Sequence, residues 1–269
     1  MDEQKVEKRK NVYFASDAHL GLDLYGDPLE REKKLVRWLD SIKTTARELY
    51  LVGDMFDYWF EYKNVVPRGF VRFLGKLAEL SDVGVKIYMF AGNHDIWMFD
   101  YFQKEIGATV IDGSYEKTID GKKFYIAHGD GLGDPSLSFR IMRTLFRNKI
   151  CQGLYKMLHP RLTVPFGCAW SHNSRKKKIG TPGEKYLGED KEYLVQFAKS
   201  YAKQTPTDFF IFGHRHIDLD LMISTGSRVV ILGDWLTHFS YGVWDGENFS
   251  LEVFESETSE VEPDIDEFA

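Results

Sequence analysis

Apolar residues along this chain follow two periods that alternate in order. Short runs at Val12–Ala15, Glu48–Val52 and Val85–Phe90 read as buried strands. Between them, Leu35, Trp38, Leu39 and Ile42 recur at helical spacing behind Pro28, and Phe70, Phe73, Leu74, Leu77 and Leu80 repeat the pattern. Further strands are predicted at Lys122–Ala127, Asp208–Phe212, Val229–Leu232, Phe239–Val243 and Phe249–Phe254. Residues 135–203 are mostly helical in pattern, with breaks expected at Pro160, Pro165 and Gly180–Gly183. Strand, loop, helix, strand is the order of parallel βαβ units, in which polar loops gather at the carboxyl ends of the strands.

Five predicted strands end on groups that carry chemistry. The ends read Ser16-Asp17-Ala18-His19, Gly53-Asp54-Met55-Phe56-Asp57, Gly92-Asn93-His94-Asp95, His128-Gly129-Asp130 and Gly213-His214-Arg215-His216. Any one alone is an ordinary polar turn. Together they hold five of the eight histidines in the chain, each placed after a strand. Asp17, His19, Asp54, Asn93, His128, His214 and His216 offer two carboxylates, one amide and four imidazoles. That oxygen and nitrogen mixture suits manganese, iron or zinc rather than calcium. Two ions roughly 3.5 to 4 Å apart need a shared anionic ligand, a role that falls to Asp54.

Composition narrows the setting. With 269 residues and 43% hydrophobic content the chain can bury a sizeable core, and no apolar run reaches the roughly 18 residues of a membrane span. The charged opening MDEQKVEKRK predicts a cytoplasmic protein. Cys151 and Cys168 fit no metal spacing and are expected to be reduced packing thiols. The net charge of -6 hides a division: from Gly131 to Asp190 there are eleven Lys or Arg and four acids, giving +7, so the remainder carries -13. A basic segment in an acidic chain points to an anionic substrate at that place rather than to nucleic acid. The same segment carries a helical apolar stripe, Phe139, Met142, Phe146 and Ile150, continued by Leu154, Met157 and Leu158. Apolar and basic surfaces beside a metal site suit an amphiphilic substrate holding phosphates and acyl chains. The expected organisation is one domain over residues 1–254, with a helical cap at 131–190. From Glu255 to the end there are seven acids and no base, which predicts a solvated tail.

Taken in order from Asp17 to His216, the patterns DxH, GDxxD, GNHD, a later His-Gly and GHxH make this sequence resemble the calcineurin-like metallophosphoesterase family. The resemblance implies a four-layer α/β/β/α sandwich. It implies two divalent ions, one held by Asp17, His19, Asp54 and His216 and the other by Asp54, Asn93, His128 and His214, with in-line attack of a water-derived nucleophile on phosphorus. His94 would stand beside the leaving group as acid or charge stabiliser, with Asp95 orienting its ring. Asp57 is expected to tie down the loop or a ligating histidine, and Arg215 to face substrate or solvent.

Within that family the chain is similar to the UDP-2,3-diacylglucosamine hydrolases of the lipid A pathway. The similarity rests on its length, on Gly53-Asp54-Met55-Phe56-Asp57-Tyr58-Trp59, on the insertion after His128-Gly129-Asp130, and on the Ser- and Lys-rich stretch Ser171–Lys178. It implies an acylated nucleotide-sugar substrate and peripheral contact with the cytoplasmic membrane face; Asn93 is a candidate substrate contact, and the basic run Lys176, Lys177 and Lys178 offers either phosphate contacts or a solvated charged surface. His94 departs from the best-known branch, which has Arg there, and Arg cannot serve as a general acid near neutral pH. That leaves a phosphodiesterase or phosphomonoesterase for another nucleotide or phospholipid-like substrate as the alternative. A non-catalytic scaffold should have lost ligands, and all seven are present.

Overall fold

The computed structural model describes residues 9–133, 136–176, 185–224 and 226–255. Lys177, Lys178 and the acidic tail from residue 256 lie outside them. In chain order the first elements are β1 (Asn11–Ala15), α1 (Pro28–Ile42), β2 (Ala46–Leu51), α2 (Val71–Asp82), β3 (Lys86–Phe90), β4 (Thr109–Ile111), β5 (Ser114–Ile119) and β6 (Lys122–Ala127). Three helices follow, α3 (Leu137–Arg147), α4 (Lys149–Lys156) and α5 (Pro160–Lys176), and then α6 (Tyr193–Ala202). The chain continues through β7 (Phe209–Phe212), β8 (Asp218–Ser224), β9 (Ser227–Leu232), β10 (Ser240–Trp244) and β11 (Phe249–Val253).

Two sheets result, one in the order β11-β10-β1-β2-β3-β4 and the other β5-β6-β7-β9-β8. The strands β1 to β4 pair in parallel, as the βαβ reading expects, and so do β6, β7 and β9. Alternation within each strand assigns its two faces to different layers. Val12, Phe14, Tyr50 and Val52 meet Phe124, Ile126, Phe209, Ile211, Val230 and Leu232 between the sheets. Their neighbours Tyr13, Ala15, Leu49 and Leu51 face outward onto Leu35, Trp38 and Leu39 of α1 and Phe73 and Leu77 of α2. On the opposite side Tyr125, Ala127, Phe210, Phe212, Val229 and Ile231 pack on Leu194, Val195 and Ala198 of α6. The architecture is therefore the four-layer α/β/β/α sandwich, with α3, α4 and α5 as a cap inserted between β6 and β7.

The strands β4, β5 and β8 were not expected. Two of them, β5 and β8, are edge strands with a polar alternation (Ser114-Tyr115-Glu116-Lys117, Asp218-Leu219-Asp220-Leu221), and pairing rather than apolar content defines them. Pro160 begins α5 as a good first-turn residue, but Pro165 lies inside that helix and does not break it. The cysteines are free, yet Cys168 is exposed and Cys151 half-buried, so neither is a core packing residue. At the start of the tail, Glu255 receives two hydrogen bonds of 2.7 Å from Arg37.

Candidate metal centre

Each motif sits where a strand of one of the sheets ends, and the loops are bonded to one another. After β1 and β2 the backbone runs side by side: Asp17 N–H donates to Gly53 O (3.1 Å), His19 N–H to Asp54 O (3.0 Å) and Leu20 N–H to Met55 O (2.9 Å). From the second sheet, Gly213 N–H donates to His128 O (3.0 Å) and His214 N–H to the Asp17 carboxylate (2.8 Å). Five candidate ligands, Asp17, His19, Asp54, His214 and His216, have φ between 40° and 68°. Left-handed backbone costs a non-glycine residue about 1–3 kcal/mol, and such strain is held where the surroundings fix it. Close approach adds a second constraint: a Cβ on Gly92 would lie 2.2 Å from Asp54 Oδ1, and one on Gly213 2.6 Å from Asp17 Oδ2.

The side chains converge in a buried cluster. Asp17, His19 and His216 form one group whose donor atoms lie within 4.8 Å of one another; Asp54, His128 and His214 form another; His19, Asp54 and His94 link the two. His19 Nε2 is 3.5 Å from Asp17 Oδ1 and 3.7 Å from Asp54 Oδ2, His216 Nε2 is 3.4 Å from Asp17 Oδ1, and His128 Nε2 is 3.3 Å from Asp54 Oδ2. Asn93 joins with Oδ1 3.4 Å from His128 Nε2. Most of these separations are too long for good hydrogen bonds, so lone pairs face a common space rather than each other.

The other nitrogen of several rings is anchored. His128 Nδ1 donates to Val52 O (2.9 Å), and His216 Nδ1 to Asp234 Oδ2 (3.1 Å), while His19 Nδ1 faces Asp57 Oδ1 at 3.5 Å. Anchoring Nδ1 in this way directs Nε2 into the cluster. Burial, followed by the Arg175 charge, holds His19 well below the ordinary imidazole range, so it is the neutral form that a cation needs. Burial opposes ionisation of Asp54, yet His128 and His94 hold it well below the usual carboxylate range. The cluster fits divalent ions on a further ground: Asp17 Oδ1 and Asp57 Oδ1 are buried without a hydrogen-bond partner.

Two expected roles are corrected. Asp95 does not orient His94. Its Oδ1 accepts from Gly92 N (2.8 Å) and Asp54 N (3.1 Å), and its Oδ2 from Met55 N (2.8 Å) and Phe56 N (3.3 Å). Those four amides occupy its acceptor sites and fasten the Asp54 loop to the Asn93 loop. His94 is instead held through Nδ1, 2.8 Å from Ser171 Oγ on α5 and 3.1 Å from Asp57 O. Arg215, half-buried, is engaged within the protein: its guanidinium grips the buried Glu192 at the start of α6, with Nε 2.7 Å from Oε1 and Nη2 3.1 Å from Oε2. Lys176 is exposed at the end of α5.

Two residues were missed by motif reading. Asp234 follows β9 in a Gly-Asp pair, the same signal that marked Asp54, and it buttresses His216. Arg175 left no signal beyond its basic run. It reaches from the cap into the cluster, with Nη1 3.1 Å from His216 Nε2 and Nη2 3.0 Å from His19 Nδ1.

The cap is tied down beside the cluster. Arg143 Nε donates to Asp130 Oδ2 (2.6 Å), Trp97 Nε1 to Phe146 O (3.0 Å), and the Tyr58 and Tyr155 hydroxyls meet at 3.1 Å. Under the cap a cavity of about 690 Å³ opens from Asn93 and His94 between α3, α4 and α5, walled by Trp97, Phe146, Leu154, Phe166 and Trp170.

A family model described as calcineurin-like phosphoesterase matches residues 10–218. The UDP-2,3-diacylglucosamine hydrolase of Porphyromonas gingivalis is 46% identical over 258 residues, covering 92% of this chain and 98% of that protein. The protein of the same name from Vibrio atlanticus is 26% identical over 90% of this chain and 96% of its own. Among solved structures, Yfce, a phosphoesterase from E. coli, aligns over 91% of this chain and 93% of its own with a TM-score of 0.45 and 14% identity. From its motifs and from the family model that matches residues 10–218, the chain belongs to the calcineurin-like phosphoesterase family and is a metal-dependent hydrolase of phosphoester or phosphoanhydride bonds.

Proposed function

We propose that the chain hydrolyses the pyrophosphate of UDP-2,3-diacylglucosamine, yielding UMP and the acylated sugar phosphate lipid X. The observation that carries this reading is the apolar cavity opening directly on Asn93 and His94, large enough for acyl chains and joined to a phosphoesterase cluster. The near full-length similarity to a hydrolase of that name supports it.

On this reading Asp17, His19, Asp54 and His216 hold one divalent ion, and Asp54, Asn93, His128 and His214 the other. The donor set favours Mn²⁺, with Fe²⁺ and Zn²⁺ served by the same atoms. Bound there, the ions neutralise phosphoryl charge and lower the pKa of water. The chain's own groups do the rest. Val52 O and Asp234 fix the imidazoles of His128 and His216, and Arg175 binds a phosphate oxygen with a planar pair of N–H groups. Asn93 and Lys176 line the approach of the anion. His94, turned by Ser171, protonates the leaving oxygen or stabilises its charge.

Residues 1–254 act as one domain on this reading, with 131–190 as its cap. Exposed apolar side chains run along the cap helices, Leu137, Ile141 and Leu145 on α3, Ile150 and Leu154 on α4, and Leu162, Phe166 and Trp170 on α5, with Leu158 exposed in the turn between α4 and α5. Lys149, Lys156 and Arg161 flank them. Among the described residues no helix is long and apolar enough to cross a membrane. The rows support peripheral contact with the cytoplasmic membrane face, from which the substrate would enter the cap.

The test is release of UMP from UDP-2,3-diacylglucosamine by purified protein supplied with Mn²⁺. Turnover of UDP-glucosamine lacking acyl chains at a comparable rate would remove the role given to the cap, and no UMP from either would sink the reading.

A further inference from the structure

A second cavity, of about 810 Å³, lies between α5 and the loops that follow β1 and β2. One face of α5 supplies Arg161, Val164, Cys168 and His172, spaced three or four residues apart. Leu20, Leu22, Tyr58 and Pro67 are its buried members, and Val66 and Val164 are half-buried. Val65, Arg68 and Arg161 are exposed. The wall therefore grades from an apolar depth to a cationic rim.

The other charges along it are already engaged. Asp57, the buried carboxylate, turns to the cluster, with Oδ1 3.5 Å from His19 Nδ1 and 3.6 Å from His94 Nδ1. Asp23, near the surface, has Oδ1 3.3 Å from His172 Nε2. For Arg68 and Arg161 no carboxylate partner is found among the described residues. Arg161 also stands fourteen residues before Arg175 on α5, about 21 Å along a helix. An anion held at Arg161 is out of reach of the metal centre and is not the group that reacts.

An apolar depth beneath unpaired guanidinium groups fits an amphiphile with a buried chain and an anionic head at the rim. The neighbouring surface indicates its source. Leu162, exposed beside Arg161, and Val65, exposed on the opposite wall, continue the exposed apolar side chains of α3, α4 and α5 toward this cavity. We propose that the cavity is a lipid-anchor site, taking one acyl chain of an anionic glycerophospholipid from the bilayer with its phosphate on Arg68 and Arg161. Its occupant is neither substrate nor product. The inference rests on the proposed membrane contact for the source of the lipid, and is independent of the reaction at the metal centre. A chain drawn into the protein adds a second attachment to the surface contact, and two weak attachments together hold a protein on a membrane where one does not.

The probe is phosphatidylglycerol carrying a diazirine at the end of one acyl chain, in phosphatidylethanolamine vesicles, with the metal-loaded full chain. Irradiation is expected to label Leu20, Leu22, Tyr58 or residues 164–169, and excess UDP-2,3-diacylglucosamine should not reduce the labelling. Labelling confined to the exposed cap side chains or to Trp97 and Phe146, displacement by that substrate, or no labelling would overturn the assignment. Val164→Trp, and Val66→Trp from the opposite wall, fill the cavity without changing charge. Each should abolish the labelling with the circular dichroism spectrum unchanged, and labelling that survives in a folded variant would place the chain elsewhere. An arginine near an anionic membrane surface strengthens binding about fivefold, so the Arg68→Ala, Arg161→Ala double variant should co-sediment about tenfold or more weakly with phosphatidylglycerol vesicles. Its binding to phosphatidylcholine vesicles should change less than about twofold, and an equal loss on both would remove the role of the two arginines. The proposed hydrolysis is read separately, by release of UMP, and either reading can fail alone.

Discussion

Asp234 Oδ2 lies 3.1 Å from Nδ1 of His216, and this contact leaves His216 Nε2 facing Asp17. The same carboxylate holds its own loop, its Oδ1 accepting from the backbone N–H groups of Leu236 (3.0 Å), Thr237 (2.8 Å) and His238 (3.0 Å). Burial opposes its charge, but bonds from His216 and His238 keep it below the usual carboxylate range. Asp234→Ala should therefore weaken retention of one ion by about 10- to 100-fold, as expected for the partner of a ligating imidazole. Metal titration with circular dichroism as a folding control checks this; unaltered affinity for both ions would remove the role.

Asp95 is a fastener rather than a proton-transfer partner. Asp95→Ala would orphan four buried amides, and the expected cost is about 3–5 kcal/mol in denaturant unfolding. A loss below 1 kcal/mol would show that the loops hold without it.

His94 stands at the mouth of the cap cavity with one nitrogen engaged by Ser171. His94→Ala should lower turnover by about 10²- to 10⁴-fold with metal content near normal. Ser171→Ala should lower it less and shift kcat rather than KM. Emptying of the ions in His94→Ala would make it a ligand, in keeping with its place beside His19 and Asp54.

Gly167 tests the seating of α5 on Tyr58. Gly167→Ala places a methyl group against Tyr58, and overpacking of this kind costs about 1–3 kcal/mol. The expected result is a raised KM for the acylated substrate, reversed when Tyr58→Leu is added. Failure of the second change to restore binding would separate the helix position from substrate entry.

Far from the cluster, Asp120 joins the sheets: it accepts from Arg47 Nη1 at 3.0 Å and from Trp244 Nε1 at 2.9 Å. The bond from Arg47 lowers its pKa below the ordinary 3.8. A depressed folded pKa stabilises above the unfolded value, and the gain is lost as pH falls through the folded value. Asp120→Asn should cost about 1 kcal/mol or less at neutral pH, since the pair is partly exposed, and the two proteins should converge as pH falls through the lowered pKa of Asp120. Unfolding curves that stay equally separated in acid would contradict this.

The periodic signals in the sequence were enough for β1, β2, β3 and the helices between them, because each strand is buried on both faces and each helix on one. The metal cluster was legible for a related reason. Parallel strands end on the same side of a sheet, so Asp17, Asp54 and Asn93 had to meet, and two carboxylates and an amide brought together offer oxygen donors to one point. The roles of Asp95 and Arg215 were not legible. A carboxylate or guanidinium takes its function from what lies within hydrogen-bond reach, and Asp95 finds four amides while Arg215 finds Glu192, partners set by loop paths that no spacing encodes. Arg175 shows the same limit at longer range. Its basic run marked an anionic substrate, but only the seating of α5 on Tyr58 through Gly167 brings that one side chain to His19 and His216. The chain itself determined the layers, the ligand types and the reaction class, because periodicity and residue chemistry are local. The tertiary structure decided which groups position their neighbours and how the cap is seated beside the cluster, because those depend on contacts between segments that the spacing of residues along the chain does not specify.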